Sequence, residues 1–573
     1  MTERFISKVV LVCFILLWVG LFYTQIIRYP YYSRLSRNNS IRILPIDGPR
    51  GDIFDRNGTV LVTNRLSFDA ALIYRELRDR RALAQLLNSV LHMNGEEIAG
   101  VMDKAARKPY APVTIAEDID KEKAISIEEA ASDIDGLMIE TRSRRSYLYN
   151  KVGSHLFGYL GEITESELGG LKEYGYRMKD LMGRAGIEKY YDSYLRGVDG
   201  GTQIEVDSLG RQTRIIGIKE PASGRDLYLT VDVAIQKTCD TLLGEHKGAI
   251  VAMDPRNGQI LALASHPAFD PNVFIRPGTS KERRMLLRDR VGRPLSDKAI
   301  SALYAPGSIF KIVTASAALE KKKISPQTRF FCPGSYRLGR GTFDCWKEGG
   351  HGSQNLREGL MNSCNVFFYN TGRAAGVDNI EIFAKLFGFG RPTGIDLPDE
   401  VKGVVPGRAW KRSHLHDNWY EGETINYSIG QGYLLVTPIQ VAEMMSVVAN
   451  RGNLVRPFIV KRIGSDDMPV TRPKPVGISS ETIRLVRAGL FDVVNAENGT
   501  GKRAAVEGMV VAGKTGTAQN PQGKTHAWFA GFAPYDDPKI CLVVFLEHGG
   551  KGGLEPASIA RGIFEEAKSR GYV

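Results

Sequence analysis

One stretch near the start of the chain is apolar without interruption. From Val9 to Ile27, the sequence VVLVCFILLWVGLFYTQII holds 19 residues without a formal charge, which is close to the length that crosses a bilayer. A cleaved signal peptide has a shorter apolar stretch and a small-residue cleavage site, and no such site follows here. We predict a cytoplasmic tail at residues 1–8 and an uncleaved transmembrane anchor at 9–28.

The next region, residues 29–225, mixes strand, turn and helix patterns. The segment DGPRGDIFDRNGTVLVTN has strand-like flanks around Asn57-Gly58, which is a hairpin signal. The segment EKAISIEEAASDI has the spacing of an amphipathic surface helix. Residues 216–225 have the composition of a linker. These patterns predict a mixed α+β region that ends at the linker.

Residues 226–573 carry longer apolar strands. Two strands flank the turn in GAIVAMDPRNGQILALAS, and three more are predicted within GMVVAGKTGTAQ, THAWFAGFAPYD and KICLVVFLEHG. Helical segments lie between the early and the late strands, and the helix PASIARGIFEEAKSRG closes the chain. The pattern predicts an α+β domain in which both ends of the segment build one antiparallel sheet flanked by helices.

Length and charge narrow the class of protein. A chain of 573 residues is too long for one ordinary core. The formal net charge of +12 favours anionic surfaces such as membranes, lipid pyrophosphates or cell-wall polymer. Because 76 basic residues are balanced by 64 acidic ones and no dense basic cluster occurs, we expect no nucleic-acid partner.

The first candidate for chemistry lies in YAPGSIFKIVTAS, residues 304–316. Lys311 stands in an otherwise apolar run, three residues after Ser308, which falls in the first turn of a predicted helix. Positions three apart share one helix face, and burial favours a neutral amine that can take the serine proton. The alternative is an N-cap serine followed by a lysine that extends to solvent.

Two further motifs follow along the chain. Lys514-Thr515-Gly516, followed by Thr517, is the one Lys-Ser/Thr-Gly sequence. Ser-x-Asn occurs at 36–38, 353–355 and 363–365. The second of these resembles a helix start, because Asn355 and Glu358 have capping-box spacing. The third ends the predicted helix LREGLMNSCNVFFYN, with aromatic residues behind it, and we select Ser363 and Asn365 as the functional pair.

In this order the three motifs resemble the S-x-x-K, S-x-N and K-T-G set of penicillin-recognising serine enzymes, the group of β-lactamases and penicillin-binding proteins. The chemistry and the resemblance together imply that Ser308 attacks a D-Ala-D-Ala peptide bond while Lys311 takes its proton. Ser363 would relay a proton toward the leaving amine, and Asn365 would hold Lys311 and the substrate amide.

The resemblance also implies roles for the residues of the third motif. Lys514 would supply positive charge for the substrate carboxylate, which the hydroxyls of Thr515 and Thr517 would bind. Gly516 would let the substrate lie against the strand, because a Cβ there would obstruct an added strand. The backbone N–H groups of Ser308 and Thr517 would form the oxyanion hole.

The amino-terminal half narrows the resemblance. RGDIFDRNG (50–58), GRAGIEKYYDSYLRG (183–197) and GQGYLLVTPIQ (430–440) are similar to class B penicillin-binding proteins, and most closely to the penicillin-binding protein 2 group. This resemblance implies an elongated, dimerisation-like α+β pedestal at 29–225 and a transpeptidase domain at 226–573. It implies a cell-elongation D,D-transpeptidase that joins peptidoglycan stem peptides from lipid-linked precursor and is covalently inhibited by β-lactams.

The same resemblance implies partners and a location. Polymerisation would belong to a membrane-embedded glycosyltransferase, within a complex of elongation proteins. The chain would be a single-pass protein of the inner membrane with its catalytic domain on the periplasmic or extracellular side. The arginines that follow the anchor favour the opposite topology by the positive-inside rule, and only the chemistry places the domain outside. They are Arg28, Arg34, Arg37 and Arg42.

Four potential metal ligands lie close together in the sequence, at Cys332, Cys345, His351 and Cys364. Three thiolates and an imidazole suit a closed tetrahedral zinc site, and some relatives carry a metal at this place. We predict a structural zinc ion and no organic cofactor. The alternatives are a Cys332–Cys345 disulfide or unpaired core thiols.

Two other functions remain open from the sequence. A D,D-carboxypeptidase or β-lactamase would use water as the acyl acceptor, although the long pedestal argues against a free hydrolase. A β-lactam sensor, or a scaffold that activates a membrane glycosyltransferase, would use the acylation site for signalling or not at all.

Overall fold

A computed structural model describes residues 2–171, 173, 175–207, 212–520 and 523–573. The chain forms two compact units. The first comprises residues 1–51, 64–144 and 196–224, and the second comprises 52–63, 145–195 and 225–573. The predicted pedestal region is therefore divided between the two units, because residues 52–63 and 145–195 pack with the second.

The first unit begins with a long apolar helix. Helix α1 (Thr2–Phe22) continues into a π-helical turn at Tyr23–Ile27. Within the described residues, Arg4–Ile27 is the one helical stretch long and apolar enough to cross a membrane, with a mean hydropathy of 2.5 and none of its most apolar window buried. The exposed apolar surface fits a single-pass membrane anchor.

The remaining elements of the first unit are helices and strands. They are α2 (Tyr29–Ser40), β1 (Ile41–Ile46), α3 (Arg80–Leu91), α4 (Gly95–Ala106), β4 (Val113–Ile119), α5 (Lys121–Ala131), β8 (Gly200–Val206) and β9 (Gln212–Lys219). Three of the strands form the antiparallel sheet β1-β8-β9. Strands β3 (Val60–Leu72) and β5 (Leu137–Tyr147) have residues in both units. Helix α5 confirms the predicted amphipathic helix, since Ala124 and Ile127 are buried.

The predicted linker at 216–225 was wrong over its first residues. Strand β8 lies between β1 and β9 in an antiparallel sheet. Ile218 and Lys219 of β9 pair with Thr202 and Gly201 of β8. The β-branched isoleucines of this segment suit a strand, whereas the glycine, proline and charged residues around them give it the composition of a linker.

The second unit contains the remaining helices and strands. Its helices are α6 (Ser154–Phe157), α7 (Glu165–Leu171), α8 (Gly186–Tyr190), α9 (Asp192–Leu195), α10 (Val233–Leu243), α11 (Ser280–Arg288), α12 (Lys311–Glu320), α13 (Leu356–Met361), α14 (Asn365–Ala375), α15 (Val377–Leu386), α16 (Arg408–Leu415), α17 (Glu421–Tyr427), α18 (Pro438–Ala449), α19 (Ser480–Asn495) and α20 (Glu555–Ser569). Its strands are β2 (Ile53–Phe54), β6 (Leu160–Glu162), β7 (Leu181–Gly183), β10 (Leu227–Leu229), β11 (Gly248–Met253), β12 (Ile260–His266), β13 (Phe330–Cys332), β14 (Ser335–Leu338), β15 (Gly341–Asp344), β16 (Gly352–Gln354), β17 (Asn453–Leu454), β18 (Val460–Ile463), β19 (Asp466–Asp467), β20 (Lys474–Pro475), β21 (Ala512–Ala518), β22 (His526–Ala533) and β23 (Ile540–Leu546).

A five-stranded antiparallel sheet organises the second unit, in the order β12-β11-β23-β22-β21. This order confirms the prediction that early and late strands join in one sheet. Alternate residues of β23 face two different cores. Val543 and Phe545 pack with residues of α12 and α18, whereas Leu542 and Val544 pack with α10 and α20. Helices on both faces explain why the strands read as continuous apolar runs.

The predicted hairpin around Asn57-Gly58 is confirmed. Strand β2 pairs antiparallel with the start of β3. Asp55 accepts hydrogen bonds from the backbone N–H groups of Asn57 and Thr59, both at 2.8 Å. Gly58 has a φ of +86°, which glycine adopts without the steric cost of a side chain.

Candidate active site

The predicted nucleophile lies in a tight turn that leads into helix α12. Ser308 is half-buried within a 3-10 turn, Gly307–Phe310, and the α-helix begins at Lys311. The prediction placed Ser308 in the first turn of the α-helix, so the turn type differs. Positions i and i+3 eclipse one another in a 3-10 turn, and Ser308 and Lys311 therefore still share one side.

Lys311 is completely buried, with an exposure of 0%. Its Nζ donates hydrogen bonds to the Ser363 carbonyl at 2.8 Å and to Oδ1 of Asn365 at 2.7 Å, and it lies 3.3 Å from the Ser363 hydroxyl. Burial lowers the pKa of Lys311 to about 8. The lysine does not extend to solvent, and its amine is poised to take up and release a proton near neutral pH.

The second motif occupies a break between two helices. Helix α13 ends at Met361, so the motif ends this helix as predicted, and the aromatic residues behind it form a second helix, α14, that begins at Asn365. Ser363 has a φ of +49°, a left-handed conformation that is costly for a residue with a side chain. Sγ of Cys364 caps α14 by accepting the N–H of Phe367 at 3.4 Å.

The alternative Ser-x-Asn at 353–355 has a structural role. Asn355 caps α13, and its side chain and that of Glu358 form a reciprocal capping box. This outcome confirms the predicted capping box. It also leaves Ser363 and Asn365 as the pair that contacts Lys311.

The third motif lies on β21, which is the last strand in the sheet order. Lys514 is completely buried, and its Nζ donates to the Ser363 hydroxyl at 2.9 Å. Burial, and then the charge of Lys311, lower the pKa of Lys514 well below its usual range. The Ser363 hydroxyl therefore lies between two buried lysine amines.

The two threonines of this strand differ in environment. Thr517 is exposed, whereas Thr515 is buried and its hydroxyl donates to Oγ1 of Thr500 at 3.1 Å. Thr500 in turn donates to the Met361 carbonyl at 3.2 Å. The motifs do not single out Thr500, and its only local signal is the turn-rich sequence NGTG. The structure thus gives the Thr515 hydroxyl a protein partner.

Gly516 is required by the packing of the protein itself. A Cβ at this position would lie 2.9 Å from both the Pro306 carbonyl oxygen and Cγ1 of Ile309, and 3.0 Å from Cβ of Trp528. Gly307 is restricted in the same way, since its Cβ would lie 2.6 Å from the Thr517 carbonyl oxygen. Gly516 therefore lets the strand pack closely against the turn that carries Ser308, and its second role, leaving room for an added substrate strand, stays a prediction.

The cysteine and histidine candidates converge on one point. The ligand atoms of Cys332, Cys345, His351 and Cys364 all lie within 4.8 Å of one another. Nδ1 of His351 is 3.4 Å from Sγ of Cys345 and 3.7 Å from Sγ of Cys332. A hydrogen bond from Cys364, and then one from His351, lower the pKa of the Cys345 thiol well below its usual range. All six cysteines are free thiols in the structure, so the Cys332–Cys345 disulfide is not formed.

Fold and site together define a serine transpeptidase of the penicillin-recognising class. The transpeptidase domain of penicillin-binding proteins matches residues 248–565, and the penicillin-binding protein dimerisation domain matches residues 45–229. A peptidoglycan D,D-transpeptidase MrdA from Acinetobacter baumannii is 33% identical over 98% of this chain and 86% of the relative. The chain belongs to the class B penicillin-binding proteins, in the penicillin-binding protein 2 group of elongation-specific D,D-transpeptidases.

Solved structures agree with this assignment. The complex between penicillin-binding protein 2 and MreC from Helicobacter pylori has a TM-score of 0.81 at 27% identity, and the match covers 93% of this chain and 99% of that chain. A structure described as the structural coordination of polymerization and crosslinking by a peptidoglycan synthase complex has a TM-score of 0.77 at 30% identity, with 99% and 98% covered.

Proposed function

We propose that the chain cross-links peptidoglycan stem peptides through an acyl-enzyme on Ser308. In the first step the Ser308 oxygen bonds to the carbonyl carbon of a D-Ala-D-Ala peptide bond, and the carbon–nitrogen bond to the terminal D-alanine breaks. The serine proton passes to the leaving amine. In the second step an acceptor amine bonds to the same carbon, the ester bond to Ser308 breaks and a proton returns to the serine.

Lys311 supplies the base in this scheme. A neutral amine has a free electron pair, and the pKa of about 8 leaves a usable neutral fraction at physiological pH. Its other interactions fix its position, because the Ser363 carbonyl and Oδ1 of Asn365 accept its N–H groups. A β-lactam would enter the same step by opening its ring amide on Ser308.

The observation that carries the proposal is the position of the Ser363 hydroxyl. It lies 2.9 Å from Nζ of Lys514 and 3.3 Å from Nζ of Lys311. A hydroxyl can donate one hydrogen bond and accept two, so Ser363 can relay a proton between the base and the leaving amine. An arrangement of this kind typically contributes about 10²–10⁴-fold to the rate.

The rim of the site would hold the substrate. Backbone N–H groups of Ser308 and Thr517 would bind the developing oxyanion, as the close approach of Gly307 to the Thr517 backbone supports. The exposed Thr517 hydroxyl would bind the terminal carboxylate, and this negative charge would favour the protonated form of Lys514, whose pKa burial lowers in the free chain. Thr515 would support carboxylate binding indirectly, because its hydroxyl donates a hydrogen bond to Thr500.

One experiment separates the transpeptidase from the other activities. The purified full-length chain in detergent is incubated with a fluorescent penicillin, and separately with donor and acceptor stem peptides, in parallel with Ser308→Ala. We expect covalent labelling and cross-linked peptide from the wild type and neither from the variant. Release of D-alanine without cross-links would indicate a carboxypeptidase, and labelling without any product would indicate a sensor or scaffold.

The cluster of three cysteines and one histidine is proposed to bind a structural zinc ion. In a tetrahedral site with zinc–ligand distances of about 2.0–2.3 Å, neighbouring nitrogen and sulfur ligands lie about 3.6 Å apart. The separations of 3.4 and 3.7 Å from Nδ1 of His351 fit that geometry. The ion would link the segment 332–351 to Cys364, which lies next to Ser363.

Location and partners follow from the anchor and the substrate. We infer that α1 crosses the cytoplasmic membrane once and that the second unit lies on the periplasmic or extracellular side, where stem peptides are cross-linked. The substrates would be stem peptides delivered as lipid-linked precursor. The partners would be a membrane-embedded glycosyltransferase that polymerises the glycan and other elongation proteins, as the relatives found with MreC and in a peptidoglycan synthase complex support.

A further inference from the structure

The segment that carries Cys345 also binds the backbone of the second motif directly. The indole Nε1 of Trp346 donates to the carbonyl oxygens of Asn362 and Ser363, both at 3.1 Å. One residue earlier in the chain than Cys345, the Asp344 carbonyl accepts Nδ2 of Asn365 at 3.3 Å. Neither Asp344 nor Trp346 belongs to the three sequence motifs.

These contacts act on the two groups that hold Lys311. Oδ1 of Asn365 and the Ser363 carbonyl both accept from Nζ of Lys311. Because a side-chain amide has one oxygen and one NH₂ group, the bond from Nδ2 to Asp344 turns Oδ1 toward the lysine. The Ser363 carbonyl has two lone pairs, so it can accept hydrogen bonds from Lys311 and Trp346 at the same time.

The indole N–H of Trp346 also binds the backbone on both sides of Ser363, the strained residue of the motif. Ser363 has left-handed backbone angles, which the surrounding structure must impose. The carbonyls of Asn362 and Ser363 lie on either side of the Ser363 Cα, and one indole N–H binds both. The ring packs edge-on against His351 at 5.2 Å between centroids, although 56% of Trp346 is exposed. The position of this exposed tryptophan is therefore defined by its N–H group and by the cysteine cluster.

We propose that Trp346 is a positioning residue for acyl transfer. Its N–H holds the backbone on both sides of Ser363, so that the Ser363 hydroxyl and the carbonyl bound by Lys311 keep their places. The inference rests on the proposed function, because the position of Ser363 matters for rate only if Ser308 is acylated. It predicts a defect in the chemical step and not in binding.

The test measures acylation of the full-length chain by benzylpenicillin as a function of drug concentration, which separates the acylation rate constant from the dissociation constant. In Trp346→Phe we expect the rate constant to fall about five- to tenfold, the effect of one lost hydrogen bond, with the dissociation constant unchanged within twofold. Trp419→Phe is the matched control. The Trp419 indole N–H donates to Thr424 at 2.8 Å, and none of its described hydrogen bonds reaches a residue of the three motifs.

A one-atom change isolates the N–H from the ring. Trp346→3-benzothienylalanine replaces the N–H by sulfur with nearly the same shape, and it provides the test if the phenylalanine variant does not fold. The same loss of rate is expected. Trp346→5-fluorotryptophan keeps the N–H and is expected to retain the wild-type rate constant. Zinc content and melting temperature are measured on every variant.

The outcomes distinguish this inference from the proposed function. If the wild type is not acylated at Ser308, the proposed function fails. If the wild type is acylated and the benzothienyl variant keeps the full rate constant, the positioning role is overturned. A rate loss that appears only together with lost zinc would overturn it as well, because the effect would then come from metal loading. Loss of rate with retained metal and rescue by fluorotryptophan would support it.

Discussion

Nζ of Lys514 donates a 2.9 Å hydrogen bond to the hydroxyl of Ser363, a residue 151 positions earlier in the chain. This contact joins the edge strand of the sheet to the break between two helices. Because Lys311 also contacts Ser363, the same hydroxyl connects all three motifs. Removing the Ser363 hydroxyl should therefore break the hydrogen-bonded link between Lys311 and Lys514 and leave Ser308 unchanged.

Ser363→Ala tests this connection. We expect acylation by penicillin to slow by about 10²–10⁴-fold, because the proton relay is lost, while the fold persists. Stopped-flow measurement with a fluorescent penicillin gives the rate. Ser353→Ala is the control, since Ser353 belongs to the other Ser-x-Asn sequence and accepts a hydrogen bond from Arg329. Equal rates in the two variants would exclude a relay through Ser363.

The pH dependence of acylation should report Lys311. A base must be neutral to accept a proton, and the pKa of Lys311 is lowered by burial to about 8. The neutral fraction is small at pH 6 and rises as the pH passes through 8. We expect the acylation rate constant to rise about tenfold per pH unit below 7 and to level off above 9. A rate that is independent of pH from 6 to 9 would contradict this role for Lys311.

Gly516→Ala should disturb both stability and activity. The added Cβ would press against the Pro306 carbonyl, the Ile309 side chain and Trp528, so the turn that carries Ser308 would have to move. We expect about 1–3 kcal/mol of lost stability and slower acylation, measured by denaturant unfolding and by penicillin labelling. The control is Gly217→Ala on β9, because no atom lies within 4 Å of a Cβ there and φ is outside the left-handed region. Equal effects in the two variants would argue against this packing explanation.

The proposed zinc site predicts a measurable metal content. Elemental analysis of the purified chain should give about one zinc per molecule, since four ligands complete a closed structural site. Cys364→Ser should lower the content and the melting temperature together. Cys239→Ser is the matched control, because Cys239 is equally buried but lies outside the cluster. Wild-type protein prepared without chelators that contains no zinc would rule out the site.

Local patterns in the sequence were sufficient for much of the fold. Apolar runs predicted β11, β12, β22 and β23, because strands covered on both faces leave no polar alternation, whereas β21 carries the Lys-Thr-Gly motif. Asn57-Gly58 predicted its hairpin, and Asn355 with Glu358 predicted its capping box, since both depend on neighbouring residues alone. The linker prediction at 216–219 failed because the glycine, proline and charged residues of the segment outweighed its two isoleucines, although the partner strand β8 lies close by in sequence.

Residue types and short spacings are enough to identify the chemistry from the sequence: a serine with a lysine three residues later, a serine–asparagine pair and a lysine–threonine–glycine strand. How these groups meet depends on tertiary packing. The fold gives Ser363 a left-handed backbone between two helices, gives Thr515 a partner in Thr500, sets Gly516 against the Ser308 turn and brings Trp346 to the second motif. Spacing fixes contacts within a turn of chain, whereas these contacts depend on the packing of segments that lie far apart in sequence.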